Sequence, residues 1–188
     1  MAPVFHDIHR DLVEQCRKGN RDAFRKLYEL YSKAMFSICL RLIDDRHEAE
    51  DVLQESFTAA FSRLNEFRHD STFGAWLKKI VVFKSIDALK KKKKGIEYLD
   101  NIERIPLTDT ESDPDNDYEK AMSVERIKRA MAKLPDGSRT VFSLYLLEGY
   151  DHSEIAGIMN ISESTSKSQF LRARQRIKEI LKENEYAQ

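Results

Sequence analysis

Between Glu163 and Leu181, Thr165, Lys167, Ser168, Gln169, Arg172 and Arg176 fall on one side of a helical repeat. Ser166, Phe170, Ala173 and Ile177 fall on the other, at steps of four, three and four. Hydroxyls, an amide and cations suit base edges and backbone phosphates, and the carboxylate on this face, Glu163, stands at its entering end. The preceding residues position such a helix. Asp151 and Glu154 form a D-x-x-E capping box, and Ile155, Ile158 and Met159 make one apolar face. Asn160 stands where a left-handed stop is needed, and Ser162 restarts the chain as an N-cap. The pattern predicts a helix-turn-helix whose second helix enters a DNA major groove. Paired amphipathic helices also occur in proteins that never meet DNA. The polar face decides for DNA.

Two other groups of side chains have chemistry to offer. Asp45 and Glu48 predict a capping box for a helix running to about Leu64, with Ala49, Val52, Leu53, Phe57, Ala60, Phe61 and Leu64 inward. Its outer face is acidic at the start, with Glu48, Glu50, Asp51 and Glu55 around Gln54. Such carboxylates also simply suit the helix dipole. A loop, NEFRHDST from Asn65 to Thr72, leads into a helix from about Phe73. That helix carries Trp76, Leu77, Ile80 and Val81 on one side and Lys78, Lys79 and Lys84 on the other, and ends in Lys90 to Lys94. Cations beside loop aromatics are what a single-stranded nucleic acid needs, phosphate charge and rings for unstacked bases. A lysine run is equally a solvated helix end.

The remaining elements are helical too. Apolar residues from Phe24 to Leu42 recur at three- and four-residue steps in a long helix, Asp11 to Leu42, broken near Gly19-Asn20. Val124, Ile127, Met131 and Leu134 mark another, stopped by Pro135. A further one runs from about Ser138 to Glu148, with Val141, Phe142, Tyr145 and Leu146 inward and Gly149 as its stop. The chain has 188 residues, 41% hydrophobic and 34% charged, with a net charge of zero. That neutrality hides a net +5 over residues 1–95, −7 over 96–120 and +2 over 121–188. Two basic lobes flank an acidic connector containing two prolines and no helical period. The expected fold is all-α: two small helical domains, 1–95 and 121–188, joined by a flexible acidic linker, 96–120, with the helix-turn-helix in the second.

Several function classes recede. Cys16 and Cys39 lie on apolar helical faces and read as buried reduced thiols. His6, His9 and Cys16 lack a fourth ligand at sensible spacing, so no metal site is expected. His47, His69 and His152 read as isolated and solvated. The six glycines are scattered and form no phosphate-cradling loop, and no cofactor, small-molecule substrate or catalytic constellation is expected. No run reaches membrane-span length and the N-terminus, MAPVFHDIHRDL, has no apolar signal region, so a cytoplasmic protein without membrane insertion is expected.

Three stretches together resemble a known pattern. AFRKLYELY…DDRHEAEDVLQESFTAAF is similar to the polymerase-binding segment of bacterial sigma factors. FRHDSTFGAWLKKIVVFKSIDALKKK resembles the segment that recognises and opens the minus-ten promoter element. LPDGSRTVFSLYLLEGYDHSEIAGIMNISESTSKSQFLRARQRI resembles the domain that reads the minus-thirty-five element. Order, spacing and the short linker are similar to the extracytoplasmic-function (ECF) group of the sigma-70 family.

The resemblance implies roles. Asp51, Gln54 and Glu55 match the surface for the clamp helices of the polymerase β′ subunit. Phe67, Arg68, Asp70 and Ser71 match the loop that captures a flipped base, helped by Lys79, Phe83 and Lys84 on the next helix. Phe73, Trp76 and Leu77 read as the floor beneath that loop. Ser164, Thr165, Lys167, Ser168, Gln169, Arg172 and Arg176 match the minus-thirty-five reading face. The linker matches the segment that threads the RNA exit channel. The implied partners are core RNA polymerase (β and β′ subunits), promoter DNA and an anti-sigma factor. Two residues depart from the pattern: Phe83 stands where the family usually has Asn, and Ser166 replaces a buried aliphatic residue. The alternatives of another class are a stand-alone helix-turn-helix regulator, dimeric on a palindrome, and a pure interaction protein.

Overall fold

The structure is a computed structural model that describes residues 8–95 and 124–185; the expected linker, 96–120, lies outside the described residues. Eight α-helices account for most of that chain: α1 (Arg10–Arg17), α2 (Arg21–Ile43), α3 (Arg46–Ser62), α4 (Phe73–Gly95), α5 (Val124–Ala132), α6 (Asp136–Leu146), α7 (His152–Met159) and α8 (Glu163–Glu185). A single 3-10 turn, Leu64–Glu66, occupies the start of the predicted loop after α3. The all-helical expectation holds among the described residues.

The long first helix breaks where Gly19 adopts φ +81° and the Asn20 side chain accepts from the backbone N–H of Asp22 and Ala23 to cap α2. Asp44, also left-handed at φ 59°, turns the chain into α3. Asp45 caps α3 by accepting from the Glu48 N–H, but the reciprocal half of the expected box does not form there. Glu48 instead takes the Lys92 ammonium at 3.1 Å, because the lysine-rich end of α4 runs alongside. The lobe closes around Leu27, Leu42, Phe73, Leu77, Val81 and Val82, each fully buried. Gly74 allows α4 to start hard against α2, where a Cβ would lie 2.7 Å from Tyr31 Cε1. Cys16 and Cys39 are buried free thiols, and burial pushes both up to about 11, so they stay protonated and unreactive at neutral pH.

In the second lobe α5, α6 and α8 share a core of Ala130, Met131, Leu134, Phe142, Ala173, Ile177, Ile180 and Leu181. The α6 face differs from expectation. Leu146 is 52% exposed and Tyr145 is 39% exposed, while Arg139, Thr140, Ser143 and Leu144 are buried instead. The reason is tertiary: α6 packs on α8 with one side and on α2 of the first lobe with the other. The lobes are thus in contact. One continuous apolar cluster runs from the first lobe into Val141, Leu144, Tyr150, Ile155 and Ile158.

Candidate nucleic-acid interface

The helix-turn-helix is built as its local signals require. Asp151 accepts from the Glu154 N–H at 2.8 Å and the Glu154 carboxylate accepts from the Asp151 N–H at 3.0 Å, completing the box. Asn160 makes the turn at φ 59°, and Ser162 Oγ accepts from the Thr165 N–H at 3.0 Å. Ser166 is wholly buried, and its hydroxyl lies 2.9 Å from His152 Nδ1, which satisfies the polar atom that an aliphatic residue would not have brought. His152 is therefore not the solvated residue expected. Its ring stacks on Tyr145 at 4.4 Å and 11° and meets Phe170 edge-on, tying α6, α7 and α8 together.

On the outer side of α8, Ser164, Lys167 and Arg176 are exposed and Thr165 and Ser168 half-buried. Lys167 pairs with Glu163 at 2.7 Å, and Arg176 with Glu179 at 3.0 Å. Both pairs are solvent-exposed, worth about 0–1 kcal/mol each, so phosphate can displace the carboxylates cheaply. Gln169 and Arg172 are less free. Gln169 Oε1 accepts from Ser138 Oγ of α6, and Arg172 is half-buried with Nε sealed from solvent.

In the first lobe Asp51, Gln54 and Glu55 are all exposed on one side of α3 and border one open depression with Thr58, Ala59 and Lys84. Lys84 pairs with Glu55 at 3.1 Å, so the acidic face and the basic face of α4 meet at a shared edge. Lys79 is exposed and Phe83, one turn on, is 49% exposed.

The loop after α3 presents Arg68 and Asp70 outward, with Ser71 half-buried. Phe67, expected among the base contacts, is 3% exposed, and this corrects its assignment. Its ring lies 5.2 Å from Trp76 and 6.1 Å from Phe73, so it joins them as floor. Apolar area is the reason, since a phenyl ring gains more from these two aromatic neighbours than from solvent. His69 is the second correction. Its backbone is left-handed at φ 60° and its side chain turns inward, with Nε2 donating to Glu14 Oε1 at 3.0 Å. Arg17 donates from Nε to the Leu64 carbonyl at 3.3 Å and from Nη2 to the carbonyls of Leu64 and Phe67. Spacing within the loop could not reveal Glu14 or Arg17, which lie 55 and 52 positions from His69.

Residues 27–95 match the family model of Sigma-70 region 2, and residues 124–177 that of Sigma-70, region 4. The chain is 30% identical to the ECF RNA polymerase sigma factor SigW of Bacillus subtilis (strain 168), over 91% of this chain and 95% of that one. It is 32% identical to the ECF sigma factor SigM of the same organism, over 82% and 93% respectively. Its fold is similar to that of CnrH solved with the cytosolic domain of CnrY, at TM-score 0.54 and 24% identity, over 93% of this chain and 97% of that one. It is also similar to the sigma factor RpoE of Bartonella quintana solved with the anti-sigma factor NepR, at TM-score 0.55 and 22% identity, over 85% and 96%.

Two sigma-70 regions, in the family's order on an all-helical frame, define a transcription initiation factor. The chain belongs to the ECF group of the sigma-70 family. It directs promoter-specific transcription initiation. Among the described residues no helix is long and apolar enough to cross a membrane.

Proposed function

We propose that the protein docks on core RNA polymerase through Asp51, Gln54 and Glu55, captures the melted minus-ten strand with the loop at Arg68, Asp70 and Ser71, and reads the minus-thirty-five element with α8. The single observation that supports this division best is exposure. Asp51, Gln54 and Glu55, Arg68 and Asp70, and Ser164, Lys167 and Arg176 face solvent in three separate sets, each carried on elements whose aromatic and aliphatic residues form the core. Region 2 comprises residues 1–95 and region 4 residues 121–188, with 96–120 connecting them. The protein works in the cytoplasm, catalyses nothing itself, and has the two subunits β and β′, promoter DNA and an anti-sigma factor as partners. The relative from Bartonella quintana, solved with an anti-sigma factor, supports the last of these.

Lys79 and Lys84 supply phosphate charge beside the loop, and Phe83 replaces the family's usual Asn there by stacking. Its half-exposed ring offers a π-face, and stacking contributes about 1–3 kcal/mol per base without reading hydrogen bonds. Minus-ten selectivity at the position it touches is therefore weak.

On α8, Ser164, Thr165, Lys167, Ser168 and Arg176 meet DNA from the face as it stands, while Gln169 first exchanges its bond to Ser138. Arg172 is set in orientation by packing and reaches a base edge. Replacing Arg172 with Ala is expected to weaken minus-thirty-five binding by about 1–3 kcal/mol, concentrated at one base pair. Holoenzyme affinities for promoters substituted singly along the element check this. A loss spread uniformly over all sequences, with a shallower salt slope, assigns Arg172 to phosphate; wild-type affinity everywhere removes this face from the interface.

A further inference from the structure

Arg17 belongs to α1, before the stretch that matches the region 2 model begins at residue 27, yet it is bound to the loop after α3. Its guanidinium holds the backbone carbonyls of Leu64 and Phe67, and its Nη1 donates to Glu14 Oε1 at 2.7 Å. Glu14 accepts from His69 Nε2, and that bond, with the Arg17 charge, holds its carboxyl below the usual carboxylate range against the opposing effect of burial. Arg17 and His69 keep only 22% and 15% of their side-chain surface exposed. The loop is thus pinned at three points: two carbonyls at its start and one side chain at its centre. Pinning His69 inward, on a left-handed backbone, leaves its neighbours Arg68 and Asp70 directed outward.

We infer that Arg17, with Glu14 and His69, is a positioning device for strand capture: a side chain that touches no base fixes the loop that does. This rests on the reading of the loop as the capture site. Bound donors and rings must stand within a fraction of an ångström of the captured base, and a misplacement of about 1 Å costs on the order of a hundredfold in comparable aligned sites. Arg17→Gln, neutral and shorter, removes the fork and its charge.

The test is permanganate reactivity of promoter thymines with holoenzyme, for Arg17→Gln, for the loop variant Arg68→Ala/Asp70→Ala/Ser71→Ala, and for both combined. Arg17→Gln is expected to reduce reactivity on duplex template roughly ten- to hundredfold while co-purifying normally with core polymerase. Combined with the loop variant it adds little, because both act through one structure. A general loss of stability adds fully instead, and so overturns the inference. If the loop variant is impaired and Arg17→Gln is wild-type, the positioning role fails alone; if the loop variant itself is wild-type, the reading of the loop fails. Should Arg17→Gln lose helical circular dichroism, His69→Asn tests the same link, since Asn tolerates the left-handed backbone.

Discussion

Charge reversal of Asp51 and Glu55 to Lys is expected to abolish binding to core polymerase while leaving the fold intact. Both side chains are exposed on α3, and the contact broken within the chain is the pair between Glu55 and Lys84 at 3.1 Å. An exposed pair of this kind contributes about 0–1 kcal/mol, well within the stability of a helical lobe. Across the interface the same two changes turn two attractions into two repulsions, and like charges brought together cost several kcal/mol. Co-purification with core enzyme measures the first effect and helical circular dichroism the second. Undiminished co-purification removes α3 from the docking surface.

The second large effect is on promoter opening. Altering Arg68, Asp70 and Ser71 together is expected to damage the open complex more than the closed one, because stacking and hydrogen bonds to unpaired bases act only after melting. Each captured base is worth about 1–3 kcal/mol. The variant is expected to fail on duplex template and to recover only partly on a pre-melted one, since the captured bases lack their contacts there too. Reducing Lys90 to Lys94 to neutral residues acts earlier, weakening initial association in a way that fades as salt rises. The structure adds a qualification to that run. Lys90 and Lys92 already bind the Ile158 carbonyl and Glu48, so part of its charge is engaged within the protein. Full activity of the loop variant on duplex template leaves the loop as a connector between two helices.

What the sequence disclosed was local. The break at Gly19-Asn20, the cap at Asp151, the left-handed stop at Asn160 and the restart at Ser162 are each set by residues within a few positions, and all stand where expected. What it concealed was set by packing between distant segments. An aromatic residue in a loop, Phe67, reads equally as a base platform or as a floor until Trp76 and Phe73 are seen beside it. Ser166 reads as a loss of core until His152 supplies its partner, fourteen residues away. Helical period places Leu146 inward, but the first lobe covers a different side of α6 and leaves it in solvent. The contact between Arg41 and Glu148 spans 107 positions, and no periodicity reaches that far.

The central claim is that this chain gives core polymerase its choice of promoter. Run-off transcription on genomic fragments, with core polymerase alone, with the protein alone and with both, tests it most directly. The account predicts discrete transcripts only when both are present, with permanganate-reactive thymines at each minus-ten element and weak duplex binding by the protein alone. Identical products with and without the protein, together with tight dimeric binding of duplex DNA by the protein alone, would contradict it and identify a stand-alone helix-turn-helix regulator instead.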